Sequence, residues 1–320
     1  MQRRKFIAGL AGAAAWPMAT RAQQPAMPVI GVLHAVLQPP QLLAAFHRGL
    51  AEIGYVEGQN VMIMHRSAEG EYDRLPSLAH ELVRLKVAVI VTMGTTPAAL
   101  AAKSSTSSIP IVFALGYDPV ETGLVASFTP GGNITGVTNL VVELAPKRLE
   151  LLHEMVPTAS LIAVLTNPLN VPEMPVLQRA AEILGVRLLP LNASSQSEVD
   201  KAFATLREQG AGALLVGAEP TFFIWREQLS ALAARYAVPA IYFYRENVDA
   251  GGLMSYAPDR TETYRQVGVH AGRILKGDKP AELPVQRPTK FEMVVNLKTA
   301  KALGLNVPVA ILIRADALIE

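Results

Sequence analysis

Two short stretches of the sequence pair a helix-capping side chain with a proline shortly after an apolar run. Thr96-Pro97 comes after VAVIVTMG, and Asp118-Pro119 comes after IPIVFALG. A threonine or aspartate followed by proline is typical of the first residues of a helix. Both pairs therefore predict a helix start at the end of a buried strand, where unsatisfied N–H groups become available to a ligand.

These two positions suit opposite ends of an α-amino acid. The N–H groups and dipole of a helix start favour a carboxylate, so Thr95 and Thr96 are candidates to hold an anion. The Asp118 carboxylate is the candidate to hold an amine or a hydroxyl group. A capped helix without any ligand is the alternative explanation for each pair, since such caps are common.

Other polar and aromatic residues also follow apolar runs. In open α/β sheets, ligands bind beyond the carboxyl ends of the strands. That rule gives a set of candidate ligand contacts: His34, Thr95, Thr96, Tyr117, Asp118, Asn167, Glu219, Thr221, Tyr244, Glu246 and Tyr256. We expect the tyrosines to stack on the body of a solute and the four residues Asn167, Glu219, Thr221 and Glu246 to close from a second lobe. Aromatic residues at strand ends are also common in cores.

Signatures of catalysis are missing from the sequence. It contains no Walker loop, no His-Glu-x-x-His, no Gly-x-Ser-x-Gly and no tight His/Asp/Glu cluster for a metal. PGGNITG lacks the Lys-Ser/Thr ending of a phosphate loop and reads as a turn. His34 with Asp118 is a conceivable enzymatic pair, but no nucleophile or third orienting group accompanies it. We therefore predict no catalytic residue, no metal and no cofactor.

The elements that must position these residues alternate along the chain. Short apolar runs such as PVIGVLH and LIAVLTN are separated by amphipathic segments such as DRLPSLAHELVRLK. Alternation of this kind predicts parallel sheets covered by helices. Two sets of elements occur, and a chain of 320 residues exceeds the usual size of one core. The sequence therefore predicts an α/β protein with two lobes.

Three segments are predicted to connect the lobes. They lie around Asn133–Leu140, around Glu246–Leu253 and in the proline-rich AELPVQRPTKFEM. The predicted first lobe comprises residues 28–138 plus 253–278, and the second lobe comprises 139–252 plus 285–320. Three crossovers between two open α/β lobes describe a hinged clamshell.

The N-terminal residues 1–22 read as an export signal. A basic MQRRKF precedes the short apolar IAGLAGAAAW, and small residues at Thr20 and Ala22 flank a cleavage point. The Arg3-Arg4 pair is compatible with the twin-arginine route and with an ordinary signal. Without this segment, 25 basic and 27 acidic residues remain, a net charge of −2 that argues against nucleic-acid binding. The chain has no cysteine, which excludes disulfides and a lipid-modified cysteine and favours a periplasmic location without a lipid anchor.

Several longer stretches resemble the periplasmic substrate-binding proteins of ABC transporters, in the group related to the tryptophan- and tyrosine-binding members. They are GLAEIGYVEGQNV, DRLPSLAHELVRLKV, IPIVFALGYDPVETGLVASFTPGGNITG, KRLELLHEMVP, ENVDAGGLMSY, RILKGDKPAELPVQRPTKFEMVVNLKTAKALGL and RADALIE. The resemblance implies the type I, three-crossover fold, with each lobe a parallel sheet flanked by helices. It also implies that the turns at Gly94–Pro97 and Asp118-Pro119 lie at the cleft.

These expectations combine into one predicted function. The protein would close over a small solute that carries a carboxylate and deliver it to a permease in the inner membrane. We expect a monomer, because the sequence shows no coiled coil and no apolar surface stripe. Two alternatives stay open at this stage: a periplasmic sensor subunit with the same sequence features, and a periplasmic enzyme acting on a small molecule.

Overall fold

The computed structural model describes residues 27–129, 131–168 and 174–320. The predicted signal segment, residues 1–22, lies outside the described residues. The described chain forms two α/β lobes, each built on its own sheet. No helix in these three ranges combines the length and the apolar character needed to cross a membrane.

The first lobe contains five parallel strands. They are β1 (Val29–His34), β2 (Met62–Ser67), β3 (Val89–Met93), β4 (Ile111–Leu115) and β5 (Ile134–Thr138), and their order in the sheet is β2-β1-β3-β4-β5. Its helices are α1 (Pro40–Glu52), α2 (Leu75–Arg84) and α3 (Thr96–Ser105). The interiors of β1, β3, β4 and β5 are almost wholly buried because helices cover both faces of the sheet, whereas the edge strand β2 is mostly half-buried.

The second lobe repeats this strand order and extends it. Its strands are β6 (Leu161–Thr166), β7 (Arg187–Asn192), β8 (Ala213–Val216), β9 (Ala240–Tyr242), β10 (Met254–Pro258), β11 (Phe291–Asn296) and β12 (Ala317–Ile319). The order is β12-β11-β10-β9-β8-β6-β7, and β10 with β11 is its antiparallel pair. The helices that follow in the chain are α4 (Ala145–Met155), α5 (Met174–Leu184), α6 (Gln196–Glu208), α7 (Pro220–Ile224), α8 (Arg226–Arg235), α9 (Arg245–Asp249), α10 (Arg260–Leu275), α11 (Leu297–Ala302) and α12 (Val309–Arg314).

The two sheets confirm the predicted α/β class with two lobes. The strand order β2-β1-β3-β4-β5 reappears as β7-β6-β8-β9-β10. In such doubly wound sheets a crevice forms where the strand order reverses, outside the carboxyl ends of the strands. The fold therefore gives each lobe a crevice of the same kind.

The chain crosses between the lobes three times, at residues 139–144, at Asp259 and at residues 283–290. The first and third crossovers overlap the predicted segments. The second prediction is wrong, because β10 pairs with β9 and β11 and so belongs to the second sheet. For the same reason, assigning all of 253–278 to the first lobe is wrong for residues 254–258.

Helix α10 returns to the first lobe and packs against α1. Two glycines make this contact close: a Cβ on Gly268 would lie 2.2 Å from the carbonyl oxygen of Phe46, and one on Gly49 would lie 1.9 Å from that of Arg265. Val267 and Ala271 join the buried cluster beneath α1. The first residue of α10 is therefore held at the boundary of the two lobes by contacts with the first.

Candidate functional site

A cavity of about 660 Å³ lies between the lobes. Its wall consists of residues that follow β1, β3, β4 and β5 in the first lobe and β8, β9 and β10 in the second. The carboxyl ends of both sheets thus face the same space, as expected for open α/β sheets. Five aromatic residues line it, namely Tyr117, Phe223, Phe243, Tyr244 and Tyr264.

Arg260 provides a buried positive charge on this wall. Only 9% of the residue is exposed. Its guanidinium carbon lies 4.1 Å from the ring centroid of Tyr244 and 4.5 Å from that of Phe223. Its Nη1 has no hydrogen-bond partner among the described residues. A buried guanidinium nitrogen that makes no hydrogen bond is costly unless an acceptor joins it, and a carboxylate fits that geometry best.

The first lobe holds Arg260 in place. Asp259 caps α10, because its Oδ1 accepts hydrogen bonds from the N–H groups of Thr261 at 2.8 Å and Glu262 at 3.4 Å. The Arg260 Nη2 donates to Oε1 of Gln38 at 3.2 Å, and Tyr264 donates to the same oxygen at 2.7 Å. The cation therefore has a fixed position before any ligand arrives.

Two carboxylates reach the cavity from the second lobe. Glu219 caps α7, and its Oε1 accepts from the N–H of Thr221 at 3.3 Å and from its hydroxyl at 3.1 Å. Glu246 lies in the first turn of α9, and its Oε1 is 3.6 Å from Nη1 of Arg260. The cavity thus has a positive pole and a negative pole close together.

Tyr244 adds a neutral donor to the wall. Asn139, at the first crossover, donates from Nδ2 to the Tyr244 hydroxyl oxygen at 3.1 Å. Burial raises the pKa of Tyr244, so the phenol keeps its proton. Because the oxygen already accepts a bond, the hydroxyl proton is available to an acceptor in the cavity.

The cavity wall includes four of the residues predicted from the sequence: Tyr117, Glu219, Tyr244 and Glu246. Thr221 is buried behind the wall and contacts it through Glu219. Tyr256 lies on β10, where its ring stacks on Phe291 with centroids 6.1 Å apart.

The predicted anion site lies beside the wall. Thr95, rather than Thr96, caps α3, and its Oγ1 accepts from the N–H of Ala98 at 3.3 Å. Thr96 is the first helical residue, because the proline that follows fits the second position. Both threonines are buried, and the residue that lines the cavity is the preceding Gly94. Their contact with a ligand stays a prediction.

Asp118 and His34 also lie outside the wall, as does the buried Asn167 at the end of β6. Asp118 begins a turn rather than a helix, and its Oδ1 accepts from the N–H of Val120 at 2.7 Å. His34 is wholly buried, with Nε2 2.8 Å from Nδ1 of His65. Burial lowers the pKa of His34 to about 3, so the ring is neutral near pH 7. As ligand contacts, these three residues stay predictions.

Four residues of the cavity wall that carry the argument above were not predicted from the sequence: Arg260, Gln38, Asn139 and Phe223. Arg260 follows Asp259, whose position before Arg-Thr-Glu is a recognisable cap signal. No group of three or more His, Asp or Glu side chains within the described ranges is arranged to hold a metal ion.

Comparison with known proteins gives a family match over most of the chain. The family model described as "ABC transporter substrate binding protein" matches residues 30–319. A tyrosine-binding protein of Clostridioides difficile is 28% identical over 282 residues, which cover 86% of this chain and 81% of that protein.

Two solved structures of similar identity differ in how closely they superpose. A domain from Streptococcus pneumonia in complex with L-Trp is 26% identical, covers 91% of this chain and 99% of its own, and has a TM-score of 0.82. A ligand-free, open substrate-binding protein from Clostridium difficile is 25% identical, covers 92% and 99%, and has a TM-score of 0.64. At nearly equal identity and coverage, the structure thus superposes more closely on the tryptophan complex than on the open protein.

Proposed function

Because the chain belongs to the family of ABC transporter substrate-binding proteins and is therefore a solute-binding receptor, we propose that its cavity binds an α-amino acid with an aromatic or large apolar side chain. The observation that carries this proposal is the buried guanidinium of Arg260, whose Nη1 has no hydrogen-bond partner among the described residues. A zwitterion with an apolar body matches both the charges and the rings of the wall.

The carboxylate of the ligand would bind Arg260 and the hydroxyl of Tyr244. Both groups are donors on the wall, and they belong to different lobes. Charge-assisted hydrogen bonds to a buried guanidinium are among the strong ones, especially where water is excluded. Thr95 and Thr96 remain predicted contacts, but the buried donor of Arg260 makes the stronger case for the anion.

The ammonium group would bind the negative pole formed by Glu219 and Glu246. Both carboxylates line the cavity, and Glu246 lies 3.6 Å from the Arg260 cation. A zwitterion can satisfy two opposite poles at this spacing without leaving a buried charge unpaired. Asp118, the predicted amine contact, has its Oδ1 engaged with the N–H groups of its own turn.

The body of the ligand would pack among Tyr117, Phe223 and Tyr244. A cavity of about 660 Å³ lies within the usual range for small-molecule sites, about 300–1,000 Å³. Two relatives point to the same ligand class, since one is described as tyrosine-binding and the other as a complex with L-Trp. Aromatic rings offer a stacking surface to such a side chain.

We further propose that the protein acts in the periplasm and passes its ligand to a permease of the inner membrane. The family match supports an ABC transporter as partner. The predicted signal in residues 1–22 supports export, by either of the two routes considered. We propose a monomer that binds no nucleic acid and does not chemically alter its ligand.

The test is isothermal titration of the chain from residue 23 onward, unfolded and refolded beforehand to remove bound ligand. The titrants are the twenty common amino acids, with tryptamine and indole-3-propionate as analogues that each lack one pole. Saturation at a hundredfold over Kd should also add about 2.7 kcal/mol to the free energy of unfolding. Tight binding of one or more aromatic amino acids, and weak binding of both analogues, is expected. Failure of every amino acid to bind would refute the proposed ligand class.

A further inference from the structure

We propose that Tyr72 is a positioning residue that latches the two lobes together through Glu219. The inference uses the receptor function of the family and does not depend on which solute is bound. Tyr72 belongs to the first lobe and does not line the cavity, whereas Glu219 lines it from the second lobe. Tyr72 therefore affects ligand binding through the position of Glu219, without contacting the ligand itself.

The latch is a single hydrogen bond across the cleft. The Tyr72 hydroxyl donates to Oε1 of Glu219 at 2.9 Å, and the two residues are 147 positions apart in the chain. Glu219 is only 2% exposed, and Thr221 donates twice to the same oxygen from within the second lobe. The carboxylate is therefore oriented by its own lobe before the tyrosine reaches it.

The surroundings of Tyr72 favour a donor with a fixed position. The residue lies in a single turn of 3-10 helix, Tyr72–Arg74, directly before α2. Its half-buried ring packs against the first-lobe cluster that contains Leu75 and Ala79. Burial and the neighbouring carboxylate raise the pKa of Tyr72, so the hydroxyl keeps the proton that it donates.

Opening of the lobes must break this bond, because its two partners belong to different lobes. Phenylalanine at position 72 would keep the ring packing and remove only the hydroxyl. The bond to a carboxylate is charge-assisted, so its loss should raise the ratio of open to closed protein by about tenfold. The same change should speed ligand dissociation more than it slows association.

The experiment compares three ligand-free proteins by small-angle X-ray scattering: the wild type, Tyr72→Phe and Tyr55→Phe. Tyr55 is also a half-buried tyrosine of the first lobe, and its hydroxyl makes no hydrogen bond to any of the described residues. A larger radius of gyration for Tyr72→Phe than for both other proteins is expected. Equal radii in all three proteins would overturn the latch.

Dissociation kinetics give a second readout with L-Trp or L-Tyr as probe. About tenfold faster dissociation from Tyr72→Phe, with a smaller change in association, supports the latch. A loss confined to the association rate contradicts it. If neither probe binds the wild type, the proposed ligand class fails, while the scattering comparison still decides on the latch. Thr221→Val, which removes a bond to Glu219 within one lobe, should weaken binding without opening the ligand-free protein.

Discussion

Replacing Arg260 by methionine tests the assignment of the positive pole. The change removes the guanidinium and keeps a long apolar side chain against Phe223 and Tyr244. Glu246 remains 3.6 Å from the place that the cation occupied, and its charge would then repel a ligand carboxylate. The variant therefore loses an attraction and gains a repulsion.

The magnitude follows from the burial of Arg260. Removing one partner of a buried, hydrogen-bonded charge pair costs about 2–5 kcal/mol. Each tenfold in Kd corresponds to about 1.4 kcal/mol, so affinity for an amino acid should fall at least about thirtyfold. Burial of all but 9% of Arg260 argues against strong screening by solvent.

The assay is calorimetric titration with L-Trp and L-Tyr and with the matching amines, tryptamine and tyramine. The amines lack the carboxylate, so their weak binding should be unchanged or improved in Arg260→Met. Arg245→Met is the matched control, because Arg245 is exposed, pairs with Glu292 at 2.7 Å and does not line the cavity. Thermal unfolding without ligand checks that each variant is folded.

Two results would refute the assignment of the carboxylate to Arg260. One is an Arg260→Met protein that binds the amino acids as tightly as the wild type does. The other is an equal loss of affinity for amino acids and amines, which would indicate a collapsed cavity rather than a missing anion contact.

Three further predictions concern the negative pole, the buried histidine and the helix contact. Glu219→Gln should weaken L-Trp binding by about tenfold or more. It should weaken indole-3-propionate binding less in calorimetry, because the amide oxygen can still accept from Tyr72 and this ligand has no ammonium group to lose a partner. Equal losses would remove Glu219 from the ammonium site. The pKa of His34 is about 3 when folded and 6.5 in the reference state, so below pH 6.5 the unfolded chain takes up a proton that the folded chain does not. The free energy of unfolding should thus fall by up to about 1.4 kcal/mol per pH unit on acidification from pH 6.5. Urea unfolding at several pH values should give a smaller fall per pH unit for His34→Asn than for the wild type. An equal fall in both proteins would show that His34 is charged in the folded protein. Gly268→Ala should cost about 1–3 kcal/mol of stability, because its Cβ would lie 2.2 Å from the Phe46 carbonyl oxygen. A Cβ on Gly272 would contact only the side chain of Ile53, which can move, so Gly272→Ala should lower the free energy of unfolding less than Gly268→Ala does. If urea unfolding shows a larger loss for Gly272→Ala, the close backbone contact at Gly268 is contradicted.

Local pattern was enough to predict the α/β class and part of the cavity wall. Tyr117, Glu219, Tyr244 and Glu246 follow apolar strands directly, so position in the chain alone brings them to the correct end of a sheet. The amphipathic spacing of Leu75, Leu78, Ala79, Leu82 and Leu85 likewise predicted a helix with one buried face. Leu75, Ala79 and Leu82 are buried on α2, whereas Leu85 follows its last residue and is 47% exposed.

Arg260 could not be predicted in this way, because non-local contacts determine its position. Its partner Gln38 is 222 positions away, and its placement depends on β10 pairing with β11 across an intervening helix. Sequence pattern does not specify which of two sheets a short strand joins. The same limit applies to Tyr72 and Glu219, whose contact exists only when two separate lobes meet.

The threading of the chain through both lobes governs the order in which they can form during synthesis. The first sheet ends at β5, but α10, which covers one of its faces, comes only after the five parallel strands β6–β10. Until residue 275 has been made, the apolar residues that pack against α10 stay exposed to solvent. Contacts between residues so far apart in the chain form slowly, and the exposed apolar surface favours aggregation in the meantime. Neither lobe is a contiguous stretch that could complete itself first. The first lobe can therefore be completed only after most of the second lobe has been made.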